Sequence, residues 1–333
     1  MRKIILMFLF ISLSLVAYNQ VIKGTVYDQK THEAIYSATV YFNGTTVGTL
    51  TDEKGNFTLD VTKNAPMPVT VSMLGYNSTT LNSNTYSTGN PLIIHLTPKV
   101  YELNEFVVKA KPHARDRKYN LFLLFLFKNE FLGTSANAQN CDILNEEDIT
   151  FNYGSDRDTL KAFASKPLQI INRKLGYKIT YYLDKFEYYK RNQSFLYKGN
   201  LIFNEDMAIN DPQKPVIERR RKNAFRGSRM HFFRSLWKND LKSTGFVVYN
   251  LSNDFLDYQD IVVEDDKHRK FLAYKKYLGI CYYSKITTSH IKFIKDEVFF
   301  DKSGYFDESG ITWDGKMASQ RIGDQLPYDY IEK

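Results

Sequence analysis

Eight basic residues, Arg219, Arg220, Arg221, Lys222, Arg226, Arg229, Arg234 and Lys238, fall within twenty residues that hold no acid. Such a cluster suits phosphates, anionic lipid or lipopolysaccharide, or an acidic protein partner. Periodicity predicts a helix over 229–242, capped by Ser228 and stopped by Gly245. Met230, Phe233, Trp237 and Leu241 would share its apolar face, and His231, Arg234, Lys238 and Lys242 a polar one. Arg226, Arg229, His231, Arg234 and Lys238 are therefore the candidate anion- or partner-binding residues. The competing reading is a solvated face, or pairing with the acidic run Asp254, Asp257, Asp260, Glu264, Asp265 and Asp266.

Catalytic patterns are sparse. Of the six histidines, His32, His95, His113, His231, His268 and His290, none is followed three residues later by Glu, and no two lie close together. A zinc peptidase needs such a pair. There is no Gly-x-Ser-x-Gly elbow, no phosphate loop and no dinucleotide glycine pattern. Glu146-Glu147 and Asp265-Asp266 are paired carboxylates of a kind common on solvated loops. No cofactor and no metal site are expected. Cys141 and Cys281 are either a disulfide or two buried thiols, and spacing does not choose between them.

The elements that would carry these residues change character along the chain. Val21 to Tyr27 and Ala38 to Phe42 alternate apolar and polar residues. Thr45–Thr51, Phe57–Val61, Val69–Leu74 and Leu92–Leu96 complete a set of short strands, as in an antiparallel sandwich. Asp52 is placed to accept amides in a tight turn, with Gly55 at positive φ. Residues 99–118 read as a basic linker. A helix is expected over 117–132, capped by Asp116, stopped by Gly133 and, because 121–127 is apolar all round, buried. A second is expected from 158 to about 165, ending before Pro167. From Gly176 onward the pattern is sheet: a hairpin of 177–183 with 194–203, then strands over 246–251, 271–277, 280–287 and 291–300, and a turn at Asp301–Gly304. The domains expected are thus 1–19 leader, 20–98 sandwich, 99–118 linker and 119–333 α+β with a mostly antiparallel sheet.

Ile22-Lys-Gly-Thr-Val-Tyr-Asp28, Thr51-Asp-Glu-Lys-Gly-Asn-Phe57 and Met73-Leu-Gly-Tyr76 resemble the carboxypeptidase regulatory-like domain, a transthyretin-like β-sandwich. That family abounds in Bacteroidetes, often at the N-terminus of outer-membrane TonB-dependent transporters. The resemblance implies a non-catalytic module. No transporter barrel is expected within a stretch of this length. Asn129-Glu-Phe-Leu-Gly133, Leu175-Gly-Tyr177, Gly227-Ser-Arg-Met-His-Phe-Phe233 and the Leu326–Tyr330 segment resemble a C-terminal region found in proteins of the same two-part layout, which implies architecture and no activity.

Arg2-Lys3, the apolar run Ile4–Val16 and Ala17–Gln20 read as a signal peptide with its cleavage site. Export to the periplasm or the outer membrane follows as an expectation. Losing Arg2 and Lys3 lowers the formal charge from +8 to +6, a mild excess that does not point to nucleic acid. The expected function is a non-catalytic cell-envelope protein, a sandwich docking module fused to a binding or structural domain. Its partner would be another envelope protein or an anionic envelope component, with peripheral membrane association. The alternative is an envelope hydrolase of glycan or peptide with its site in 119–333.

Overall fold

The computed structural model describes residues 21–62, 67–86, 90–99, 114–153, 158–205, 212–275 and 277–332. The leader and residues 100–113 of the expected linker lie outside them. The first unit is a sandwich of seven short strands: β1 (Val21–Asp28), β2 (Thr39–Phe42), β3 (Gly48–Leu50), β4 (Asn56–Asp60), β5 (Val69–Ser72), β6 (Thr79–Leu81) and β7 (Leu92–Leu96), with a single turn, α1 (Ser83–Tyr86), before β7. One sheet has the order β4-β1-β7 and the other β3-β2-β5-β6. Phe57, Leu59 and Val61 point inward, joining Val26, Val40, Phe42, Val69 and Val71 in the core. Asp52 accepts the amides of Lys54 and Asn56 at 2.9 and 2.8 Å, and Gly55 has φ +75.

The rest is α+β. Helix α2 (Ala114–Phe131) covers a six-stranded sheet made of β8 (Cys141–Ile143), β9 (Ile149–Tyr153), β10 (Thr159–Ala164), β11 (Leu168–Asn172), β12 (Tyr177–Tyr189) and β13 (Ser194–Asn204). The long β12 is its spine, pairing with β10, β11 and β13, all antiparallel. Next come α3 (Lys214–Phe225) and α4 (Arg229–Trp237), followed by β14 (Phe246–Tyr249), α5 (Tyr258–Ile261), β15 (Val262–Glu264), β16 (Lys270–Ala273), β17 (Tyr277–Tyr282), β18 (Ser284–Phe293), β19 (Glu297–Phe300) and β20 (Ile311–Gly315). These strands make the sheets β14-β17-β18-β20 and β15-β16-β19. Phe232, Phe233 and Leu236 of α4 fill the core they share.

Several expectations are corrected. The 158–165 helix is strand β10, and β11 follows beyond Pro167. Pairing with β9 and β12 overrides the helical propensity of Leu160, Lys161 and Ala162. Helix α2 starts at Ala114, so Asp116 lies in its first turn and 114–118 is not linker. Gly133 does end it, at φ +99. The helix is not buried all round: Phe127 and Phe131 are in the core, while Leu121, Phe122 and Phe125 are exposed. Helix α4 stops at Trp237, because Asn239 takes φ +53. The strand expected over 280–287 is broken by a turn at Tyr283, φ +51.

The two units are sewn together. The loop after β2 lies along β13, an edge strand otherwise open on that side. Gly44 donates to the Leu201 carbonyl at 2.8 Å and Phe203 donates to that of Thr45 at 2.9 Å. The Leu201 amide donates to the Asn43 side chain at 2.8 Å. On its other side the loop accepts the Tyr328 amide at Gly44, and both the amide and the hydroxyl of Thr46 donate to Asp329.

Candidate functional site

The basic cluster is dispersed by folding. Arg221 is almost fully buried: it donates to the carbonyls of Leu175 and Gly176 and to Glu205, and lies over the Tyr177 ring. Arg226 is exposed and paired with Glu332, which also takes Lys222. Arg234 donates to the carbonyls of Ser303 and Tyr328 at 2.7 and 3.0 Å. Lys238 is exposed at the C-terminal end of α4. Ser228 does cap α4, accepting the His231 amide at 3.0 Å. Among the described residues, none of these cations pairs with the acidic run, whose Glu264 and Asp265 hold His268 and Arg269.

His231 sits among Phe225, Phe246 and Tyr282, its Nδ1 accepting the Gly227 amide. Burial pushes its pKa down to about 4; Glu332 opposes, while Arg226, Arg234 and Lys238 add to the fall. The unfolded chain therefore takes up this proton first, and the neutral ring's contribution is lost as pH falls from 6.5 toward 4. Replacing His231 by Phe should flatten this dependence: between pH 7 and pH 5 the urea midpoint should drop less in the variant than in the wild type.

The candidate disulfide is not formed. Cys141 on β8 and Cys281 on β17 are free, buried thiols in different sheets. Burial pushes the Cys141 thiol up to about 12, which makes it unreactive. Among the described residues no three His, Cys, Asp or Glu side chains gather as a metal set.

What folding does assemble is a cleft of about 430 Å³ at the joint. Asn43 and Gly44 bring the sandwich to one side. Tyr181 of β12 and Tyr197 of β13 form a wall, Ser228 and Arg229 enter from the start of α4, and Tyr305, Glu308, Gln320, Gln325 and Tyr328 complete the lining. Arg229 is the one candidate of the basic cluster, besides the cap residue Ser228, that reaches this cleft. Its Nε donates to the Met317 carbonyl at 2.9 Å and its guanidinium lies over the Trp313 ring at 5.2 Å, but its two terminal nitrogens make no hydrogen bond among the described residues.

Glu308 is the residue that sequence reasoning missed. It is open to the water of the cleft yet hemmed in by protein, which raises its pKa; Arg229 opposes the rise and Asp307 adds to it. Its carboxylate makes no hydrogen bond or ion pair among the described residues, and neither do the hydroxyls of Tyr181, Tyr197, Tyr305 and Tyr328. Burial raises the pKa of all four phenols, so each keeps its proton as a donor. Unpaired polar groups converging on one hollow are the usual mark of a binding site. Only the motif-free segment Asp307-Glu-Ser309 announces Glu308, and a lone carboxylate on a turn gives no signal.

A larger, more open hollow of about 640 Å³ lies on the outer face of β14 and β17, lined by Val247, Tyr249, Phe255 and Tyr283 with Lys242 as its single charge. It lacks such convergence. No helix of the described residues is long and apolar enough to cross a membrane. No curated protein matches the chain. Its N-terminal unit, roughly a quarter of the sequence, does have a family: residues 22–108 match the CarboxypepD_reg-like domain.

Proposed function

We infer that this is a non-catalytic binding protein of the cell envelope, exported by its Arg2-Lys3 leader to the periplasm or the outer membrane. The sandwich is fixed to the α+β unit and the ligand sits between them. The observation that carries this reading is the cleft in which Glu308 and four tyrosine hydroxyls lack partners. A second site for an envelope protein or anionic component would fall on the exposed cations Arg226 and Lys238, peripheral to the membrane.

The cleft carries a signature in stability. The folded-state pKa of Glu308 is raised, so the folded chain favours its neutral form, and that advantage is lost as pH rises through the raised value. Glu308→Gln should therefore melt higher than wild type at pH 7, by ~0.5 kcal/mol after screening by the cleft's water, with no gain at pH 4. Native mass spectrometry of protein taken from its own envelope should show a bound small molecule. Lys198→Trp, which places a bulky ring on the cleft lining from an exposed strand position, should lose it. A ligand-free wild type, or an adduct that survives Lys198→Trp, would refute the reading.

One observation favours hydrolysis as a second reading. Glu308 is pushed up, whereas its neighbour Asp307, despite partial burial, is pulled down by Lys295 and Ser309. Two carboxyls driven apart in this way are what an acid–base pair requires.

A further inference from the structure

The chemistry of the cleft narrows what it holds, and this inference rests on the cleft being the binding site. Arg229 and Glu308 carry opposite charges into the same hollow, but no ion pair joins them. The terminal nitrogens of Arg229 offer donors only, and the carboxylate of Glu308 offers acceptors only. Over the whole lining Lys198 and Arg229 face Asp307, Glu308 and Asp324, and Asp307 is paired with Lys295, so the charges of the cleft balance, which disfavours a ligand with a large net charge of either sign. Tyr181, Tyr197 and Tyr328, whose hydroxyls both donate and accept, line the same cleft. All three are neutral phenols, and each lacks a partner among the described residues.

A ligand that satisfies this set must accept from Arg229, donate to Glu308, and do both at several further points. Hydroxyl groups do this with one functional group repeated. A zwitterion meets the two charged groups and leaves the phenols unpaired, at the cost that buried polar groups carry when left without partners. The tyrosine rings supply flat apolar surface beside the polar groups, which suits a ring with one face of C–H bonds. The volume, about 430 Å³, is in the range of small-ligand pockets. We propose that the cleft between the β-sandwich and the α+β unit binds a neutral saccharide, with Glu308 and Arg229 bridged by its hydroxyls and Tyr181, Tyr197 and Tyr328 lining its length.

Isothermal titration with maltose, cellobiose and N,N′-diacetylchitobiose, beside the zwitterionic dipeptide alanyl-alanine, tests this on the full chain. At least one disaccharide should bind saturably. Glu308→Gln should weaken it about tenfold, the loss of one charge-assisted hydrogen bond. Tyr197→Phe should weaken it about fivefold, and Lys198→Trp should abolish it. Far-UV circular dichroism of each variant separates lost binding from lost folding, and Tyr197→Phe removes a single oxygen. If the dipeptide binds and no disaccharide does, the saccharide proposal falls and the cleft reading stands. If nothing binds and the native adduct survives Lys198→Trp, both fall. A disaccharide that binds with equal strength to wild type, Glu308→Gln and Tyr197→Phe also overturns the proposal, since these groups would not be its contacts. Chromatography of the titrated disaccharide reports whether it is returned intact, as expected, or cut.

Discussion

Replacing Arg221 by methionine will destabilise the protein by about 3 kcal/mol, since it leaves two buried carbonyls without their donor. The guanidinium is 4% exposed and reaches Glu205 at 2.8 Å. The same group holds the carbonyls of Leu175 and Gly176, in the turn that feeds β12. Methionine fills most of the volume but supplies no donor, so two backbone acceptors and a carboxylate lose their partner together. Lysine does not rescue it. Its ammonium cannot reach three acceptors in fixed directions or lie flat over Tyr177, so Arg221→Lys should still cost at least ~2 kcal/mol. Urea unfolding followed by circular dichroism measures both. A lysine variant within ~0.5 kcal/mol of wild type would show that charge alone matters here.

The second large effect is expected at Gly44. This residue has φ +75, and a Cβ there would lie 2.9 Å from the Tyr328 ring. A β-branched side chain is strained in that conformation before any clash is counted. Gly44→Val should cost about 3 kcal/mol. The damage should be localised: the amides of Leu201 and Phe203, held by Asn43 and Thr45, should exchange with deuterium much faster, while the sandwich core stays protected. Gly75 makes the control. It has φ +83 but open space around it, so Gly75→Ala should show the strain alone, about 1 kcal/mol, and leave exchange at Leu201 unchanged. Equal protection at Leu201 in the valine variant would contradict the role given to this joint.

What could be read from the sequence was what is local. The Asp52 turn, the Ser228 cap, the Gly133 stop and the hairpin of β12 with β13 depend on neighbours in the chain, and each is where its residues place it. The misread 158–165 segment shows the limit: its fate is set by β9 and β12, and nothing within it announces them. The cluster at 219–238 fails for the same reason on a larger scale. Proximity along the chain put its cations together, but a helix sends successive side chains in different directions. Arg221 goes into the core, Arg234 to the carbonyls of the Ser303 turn, Arg226 to Glu332 and Arg229 to the cleft. Glu308 and Tyr181 are separated by more than a hundred residues, and only the assembled sheets and the sandwich loop bring them to one hollow.

The joint also has a consequence in time. Thr46 is bound by Asp329, 283 residues downstream. Loops of that length close late and slowly, after local structure has formed. A chain made from its N-terminus has its sandwich strands to hand early, and they pair among themselves without help from later sequence. The strand edge they will cover, and the Tyr328–Asp329 clasp that locks them there, do not yet exist. The cleft is therefore the final product of maturation. Until the clasp closes, the open side of β13 is a strand edge with unpaired backbone groups, the surface a nascent chain most needs shielded.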